Sequence, residues 1–317
     1  MSIDLARGAI VCIAGATASG KTALALHLAR NIEADLISVD SGQVYRGMDV
    51  GSAKPDDTVL AEVPHQLINV RDIDSPYSAA DFARDARTLV FRSLEAGRTP
   101  ILVGGTMFYF HALLKGLPKL PPADPELRAE LEGATKRRGL EYLHNQLLAL
   151  DTVAGERINP NDSQRIIRAI EINVLTGRRV SEQEAAIGLI HEGVAALKLA
   201  VNIPDRRHLH QRLAERLSAM LDQGFVEEVR SLRQRYPQAR GTAAMRSVGY
   251  QQIWTHLEGQ TSETQMRADI LTANRRLAKR QLTWIRNESG FVWVDATHDG
   301  FEKMLLNYVS SWIAAKR

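Results

Sequence analysis

One stretch, Gly15-Ala16-Thr17-Ala18-Ser19-Gly20-Lys21-Thr22, limits what this chain can be more than any other. It fills every specified position of the phosphate-loop pattern, in which a glycine-rich turn closes on Lys and then Ser or Thr. The apolar run at 9–14 precedes it and an apolar-periodic segment at 23–29 follows, so the loop stands between a strand and a helix. Gly15 and Gly20 permit unusual backbone angles, and successive N–H groups with the helix N-terminus face an anion. Lys21 adds a mobile positive charge, and the Thr22 hydroxyl can hold Mg²⁺. The motif specifies a polyphosphate; it does not say whose.

The residues around the loop place it in an α/β fold. Residues 1–117 alternate strand-like apolar runs with helical patterns, which predicts a parallel sheet wound with helices, P-loop NTPase-like in kind. Strands are expected at 9–14, 36–39 and 100–103, with a short one at 64–70, and helices at 21–30, 79–95 and 107–114. Ligands in open α/β sheets sit beyond the carboxyl ends of the strands. Asp40 follows the second strand, and Thr106 follows the glycine turn Gly104-Gly105, so both should reach the crevice of the phosphate loop. His65 reads as a structural histidine beside that crevice.

At Pro118 the character changes. The proline-rich segment 117–125 opens a stretch of helical periodicity, read as an all-helical insertion over 118–195. Within it Asn159-Pro160-Asn161-Asp162 signals a helix start, with a helix at 163–176 carrying Arg165 and Arg168 on one face. Strand character returns at 197–203, so the core is expected to comprise 1–117 and 196–317. Helices follow at 206–222, 225–235, 247–257 and 263–287, then a strand at 291–294 and a terminal helix at 305–313. Arg212 and Arg216 lie four apart on the first of these, where they could clamp an anion or face solvent.

The chain has 317 residues, 44% hydrophobic, enough for one large domain or a core with an insertion. Its single cysteine, Cys12, lies in the first strand, which excludes an intrachain disulfide and suggests a reducing cytoplasm; it reads as a core residue. The start of the chain lacks the pattern of a secretory leader, and no apolar run approaches the roughly 18 residues of a membrane span. A cytoplasmic protein without a membrane partner is expected. Net charge is +3, yet residues 206–286 hold 15 Lys+Arg against 7 Asp+Glu. Such an arginine-rich excess fits either solvated helix faces or a polyanion such as nucleic acid.

A phosphate loop with a carboxylate at the next strand end suggests, on physical grounds alone, a small-molecule kinase using ATP. An RNA-binding NTPase that does no chemistry on a base is a further possibility. Several stretches together, however, resemble the tRNA dimethylallyltransferases, or isopentenyl transferases. Besides the phosphate loop they are residues 38–45, 47–55, 77–82, 103–109, 161–165, 248–250 and 278–284, which read SVDSGQVY, GMDVGSAKP, YSAADF, VGGTMFY, NDSQR, VGY and AKRQLTW. They span nearly the whole chain in order.

That resemblance implies transfer of a dimethylallyl group from dimethylallyl diphosphate to N6 of the adenosine 3′-adjacent to the anticodon, in tRNAs reading codons that begin with U. N6-dimethylallyladenosine and diphosphate would be the products, with Mg²⁺ as cofactor and the enzyme a monomer. Asp40 would act as base and Thr106 would line the channel. Residues 15–22 would hold the diphosphate with Arg216, or failing that Arg212. The tRNA anticodon stem-loop would contact Asp40, Ser41, Gly42, Gln43, Thr106, Arg128, Gln164, Arg165, Ile166, Ile167 and Arg168. Further contacts are implied at Met245, Arg246, Ser247, Val248, Gly249, Tyr250, Ala278, Lys279, Arg280, Gln281 and Trp284, with Gln43, Gln164 or Gln281 specifying bases. The absence of a C-terminal Cys/His finger resembles the compact bacterial form.

Overall fold

A strand made only of apolar residues and glycine must be covered on both faces. The computed structural model, which describes residues 8–184 and 187–316, covers β1, Ala9–Gly15, in that way. It is an inner strand of a six-stranded parallel sheet of order β3-β2-β4-β1-β5-β6. The others are β2 (Ala34–Val39), β3 (His65–Gln66), β4 (Thr99–Gly104), β5 (Ala195–Asn202) and β6 (Phe291–Asp295). The two-residue period of a strand divides the core. Val11 and Ile13 pack on one face with α1 (Lys21–Asn31), and Ile10, Cys12 and Ala14 pack on the other. Burial pushes the Cys12 thiol up to about 12.

After α1 come α2 (Asp57–Glu62), α3 (Ala79–Glu95) and α4 (Met107–Leu114). Ser78 caps α3 by accepting the Asp81 N–H at 3.1 Å, while the Asp81 carboxylate accepts the Ser78 N–H at 3.0 Å. Sequence position thus fixes where this helix starts.

The chain divides into two units, one of 1–115 with 188–317 and one of Gly116–Ile187. The second holds α5 (Pro125–Arg138), α6 (Leu140–Leu150), α7 (Thr152–Arg157) and α8 (Ser163–Thr176) around Leu131, Leu143, Leu147 and Ile170. Asp124, Asp151 and Asp162 cap three of these helices. The expected insertion boundary at 195 is corrected to 187. Leu189 and Ile190 donate their N–H groups to the Leu113 and Leu114 carbonyls, which ties this segment to the core unit. Residues 1–7, 185–186 and 317, included in the expected ranges, lie outside the described residues.

The core unit continues with α9 (Arg206–Asp222), α10 (Phe225–Arg235), α11 (Tyr250–Leu257), α12 (Glu263–Asn287) and α13 (Phe301–Ala314). Two expected boundaries move. The helix expected from 247 starts at Tyr250, because Gly249 has φ 91°, and the strand expected over 64–70 shrinks to two residues. Among the described residues no helix is long and apolar enough to cross a membrane.

Candidate active site

The carboxyl ends of β1, β2 and β4 open on a cavity of about 450 Å³ in the core unit, with α9 and α12 contributing further walls. At β1 the phosphate loop is forced close to the sheet. A Cβ on Gly15 would lie 2.5 Å from the Val201 carbonyl oxygen, so only glycine fits. Ala18 adopts φ 65°, a conformation costly for a residue with a side chain and found where function constrains the backbone. Gly20 is the N-cap of α1 and offers no side-chain acceptor. The first N–H groups of the helix therefore remain for an anion.

Asp40 and Thr106 are brought side by side by the pairing of β2 with β4. Gly104 packs so tightly on Val39 that a Cβ would meet its carbonyl oxygen at 2.0 Å. Beyond this contact, the Thr106 N–H donates to the Val39 carbonyl at 3.1 Å, and the Ser41 N–H donates to Thr106 Oγ1 at 3.0 Å. Asp40 Oδ1 accepts the N–H groups of Gly42 (2.8 Å) and Gln43 (3.3 Å). These bonds fix the carboxylate while its other oxygen makes no hydrogen bond among the described residues. Among the described residues, Asp40 is the only carboxylate in the lining.

Two of the cations that line the cavity, Lys21 and Arg216, are partly buried beside it. Burial and the neighbouring Arg216 guanidinium pull the Lys21 ammonium down to about 8, against an opposing pull from Asp40. Arg216 is itself lowered by burial, with Asp40 as the group that favours its charge. Lys21 donates one hydrogen bond, to the Ala16 carbonyl at 3.3 Å. Cations held close together without sufficient negative charge form a site that an anion relieves. Arg212 does not line the cavity, so of the two candidate arginines Arg216 is the one placed there. Leu213, Leu217, Met220, Phe225, Ile270 and Leu277 supply an apolar wall.

Other expected site residues are distributed unevenly. Thr17, Thr22, Ser41, Gly42, Gln43, Arg246, Ser247, Val248, Gly249, Tyr250, Arg280 and Gln281 line the cavity, as does His65. His65 Nδ1 hydrogen-bonds the Val63 carbonyl at 2.8 Å, and burial lowers its pKa. Met245, Ala278 and Ile166, expected at an RNA surface, are instead buried core residues. Two of the three glutamines expected to read bases, Gln43 and Gln281, are occupied inside the fold. Gln43 Oε1 accepts from Ser38 Oγ at 2.8 Å, and its Nε2 donates to the Ala53 carbonyl at 3.2 Å. Gln281 Oε1 accepts the Thr17 N–H at 2.9 Å, and its Nε2 donates to the Gly105 carbonyl at 2.9 Å. A single side chain of α12 therefore joins the phosphate loop to the turn that carries Thr106.

In the helical unit, Arg128 and Arg168 converge on Glu171, whose side chain is fully buried. Burial alone would raise this carboxyl, but hydrogen bonds from Arg128, Arg168 and the Asp124 N–H hold it below the usual range. Gln164 and Arg165 are exposed, and Ile167 is half-buried.

Glu228 on α10 was not singled out by sequence. Its carboxylate accepts the N–H groups of Asp49 (2.9 Å), Val50 (2.6 Å) and Gly51 (3.2 Å) and the Tyr250 hydroxyl (2.6 Å). It thereby fixes the loop whose Gly51, Ser52 and Ala53 wall the cavity. Gly51 has no space for a side chain, since a Cβ would lie 2.0 Å from the Phe225 ring. In sequence Glu228 looks like any acidic residue in a first helical turn.

Fold and site together define an α/β enzyme of phosphate-loop kind, whose cavity combines loop residues and partly buried cations with one carboxylate and an apolar wall. The profile described as IPP transferase matches residues 43–288, and the chain belongs to the IPP transferase family. It is similar to two proteins named tRNA dimethylallyltransferase. That from Thiobacillus denitrificans is 47% identical over 96% of this chain and 97% of its own length. That from Stenotrophomonas maltophilia is 44% identical over 99% and 100%. Among solved structures, the tRNA isopentenylpyrophosphate transferase of Bacillus halodurans is 32% identical, with a TM-score of 0.72 and 98% coverage of both chains.

Proposed function

We propose that this enzyme transfers the dimethylallyl group of dimethylallyl diphosphate to N6 of the adenosine 3′-adjacent to the anticodon, in tRNAs reading codons that begin with U. One observation carries the reading: Lys21 and Arg216 stand together beside the phosphate loop, in the same cavity as Asp40 and an apolar wall. A diphosphate with a short apolar chain matches that combination. Family membership disfavours a kinase.

The exocyclic amine of adenine is a weak nucleophile. As the N6–carbon bond forms and the allylic carbon–oxygen bond breaks, Asp40 accepts the N6 proton and the electron pair leaves with the diphosphate. Loop N–H groups, Lys21 and Arg216 stabilise the charge that gathers there. Thr106, locked to Ser41, holds the two strand ends in register around the acceptor. Among the described residues no cluster of three or more His, Cys, Asp or Glu could cage a metal ion. Magnesium commonly takes one or two protein ligands, with substrate phosphates completing its shell, and the Thr22 hydroxyl fits that role. When bound, Mg²⁺ would neutralise charge on the leaving group.

The target base must leave its loop to enter the cavity, at a cost of roughly a few kcal/mol. Exposed Arg246, Lys279 and Arg280 in the core unit, and Gln164 in the helical unit, are among the side chains free to offset that cost. The enzyme acts as a monomer in the cytoplasm. Incubation of unmodified tRNA with radiolabelled dimethylallyl diphosphate and Mg²⁺, without nucleotide, should label the RNA. Unlabelled RNA together with ATP turnover would instead establish the kinase.

A further inference from the structure

Withdrawing one base from a stack leaves its neighbours with an uncovered face, and beside the cavity lies a surface able to cover one. Met107, Tyr109 and Phe110 of α4 are buried, whereas Phe108 is 46% exposed. Its ring stands 6.1 Å from that of Trp284 on α12 with planes at 64°, and 6.3 Å from His111 with planes at 12°. His111 and Trp284 are 6.3 Å apart at 76°, so each ring of the trio touches the other two. Lys115 at the end of α4 pairs with Glu288 just after α12, which fixes the two helices together.

The trio adjoins the site. Phe108 follows Thr106 by two residues, and Trp284 lies one turn beyond Arg280 and Gln281, all three of which line the cavity. Lys279, Arg280 and Arg286 on the same helix are exposed and form no ion pair with a carboxylate among the described residues. An exposed aromatic ring flanked by uncompensated cations has the chemistry of a nucleotide subsite. The ring takes the base and the cations take its phosphate, with stacking worth about 1–3 kcal/mol per base. A protein partner would use the ring but not the cations.

We propose that Phe108, held by His111 and Trp284, stacks on the unpaired nucleotide adjacent to the adenosine that enters the cavity. This subsite rests on the assignment of an RNA acceptor. It would lower the net cost of withdrawing the target base by restoring contact to a base left behind.

The test uses an unmodified anticodon stem-loop and two versions of it, each abasic at one neighbour of the target adenosine. Wild type, Phe108→Ala and Phe108→Tyr are compared with each RNA. With intact RNA, Phe108→Ala should raise KM for the stem-loop about tenfold, equivalent to about 1.4 kcal/mol, with unchanged melting temperature and little change in kcat. Phe108→Tyr should restore KM. With one of the abasic RNAs, wild type should lose about the same factor and Phe108→Ala should lose no more. An unchanged KM in Phe108→Ala, or an equal Phe108→Ala effect on intact and both abasic RNAs, would overturn the subsite. A wild-type enzyme that fails to label the intact stem-loop would overturn the RNA assignment, and the subsite with it.

Discussion

Arg128 and Arg168 in the helical unit and Arg216 in the core unit have opposite fates. In the helical unit Arg128 and Arg168 are drawn onto the buried Glu171 carboxylate, which takes 2.9 Å and 3.1 Å hydrogen bonds from Arg128 alone. In the core unit Arg216 shares a cavity with Lys21, which it repels, and with Asp40, which supports its charge. The first arrangement is internally compensated and contributes to structure. The second retains positive charge that an anion can satisfy, which suits the binding role proposed for it. An arginine reveals its role through the carboxylates placed around it, rather than through its own presence.

The largest expected effects test the uncompensated region. Asp40→Asn keeps the shape but removes the proton acceptor, so kcat for transfer should fall about 10²–10⁴-fold with RNA affinity and melting temperature retained. Near-normal turnover would show that the carboxylate is not the base. Arg216→Gln should raise KM for dimethylallyl diphosphate or depress kcat/KM by about 10²-fold, without loss of stability. Steady-state kinetics and a thermal melt on the same preparation separate these outcomes.

The helical unit should respond in the opposite sense. Glu171→Ala leaves two arginines without their shared carboxylate, and a destabilisation of about 3 kcal/mol is expected from denaturant unfolding. Because the Glu171 pKa is depressed, its contribution is present above the ordinary carboxylate value and lost as pH falls below it. Arg128→Ala should likewise cost stability more than RNA affinity. If it weakened RNA binding tenfold while the melt stayed unchanged, the contrast between the two units would collapse.

The phosphate loop was legible because it is local: eight consecutive residues carry both the backbone requirement and the charge. Asp40 and Thr106 were legible in position for a related reason, since they follow strands by one and two residues and the parallel sheet brings strand ends together. Gln281 was harder. The family resemblance implied an RNA contact there, but 264 residues separate it from the Thr17 N–H it accepts, and no sequence periodicity reports such a bond. Glu228 was missed on the same principle, because its partners are backbone N–H groups at 49–51, which every residue except proline possesses. Among the arginines, the resemblance ranked Arg216 before Arg212, and packing places only Arg216 of the two in the cavity lining.

Titration sharpens the contrast within the cavity. Lys21 has a pKa of about 8 in the folded free enzyme against an ordinary 10.5. Between these values the unfolded chain binds more protons, so the stability of the free enzyme should rise with pH across that window. A diphosphate favours the ammonium form. Its affinity should therefore fall above pH 8 by up to about tenfold per pH unit, and Lys21→Arg should flatten the profile. KM for dimethylallyl diphosphate measured from pH 7 to 9.5 checks the sign, and a constant KM in the wild type would remove Lys21 from the anion grip.

The smallest effects are expected where cations face solvent. Arg275 and Arg276 on α12 are exposed, and neither pairs with a carboxylate among the described residues, so they resemble Arg216 in having no ion-pair partner but differ in facing solvent. A hydrated cation gains little from a single phosphate, yet binding releases the counterions condensed on the RNA. Each such contact should contribute about 0.7–0.9 to the slope of log affinity against log salt concentration. Replacing both arginines with glutamine should thus make the slope shallower by nearly 2, with an affinity loss of only a few fold at physiological salt and unchanged kcat. RNA titrations between 50 and 200 mM salt would resolve it. An unaltered slope would mean that these arginines only solvate α12, and that lack of compensation marks a binding cation only where burial accompanies it.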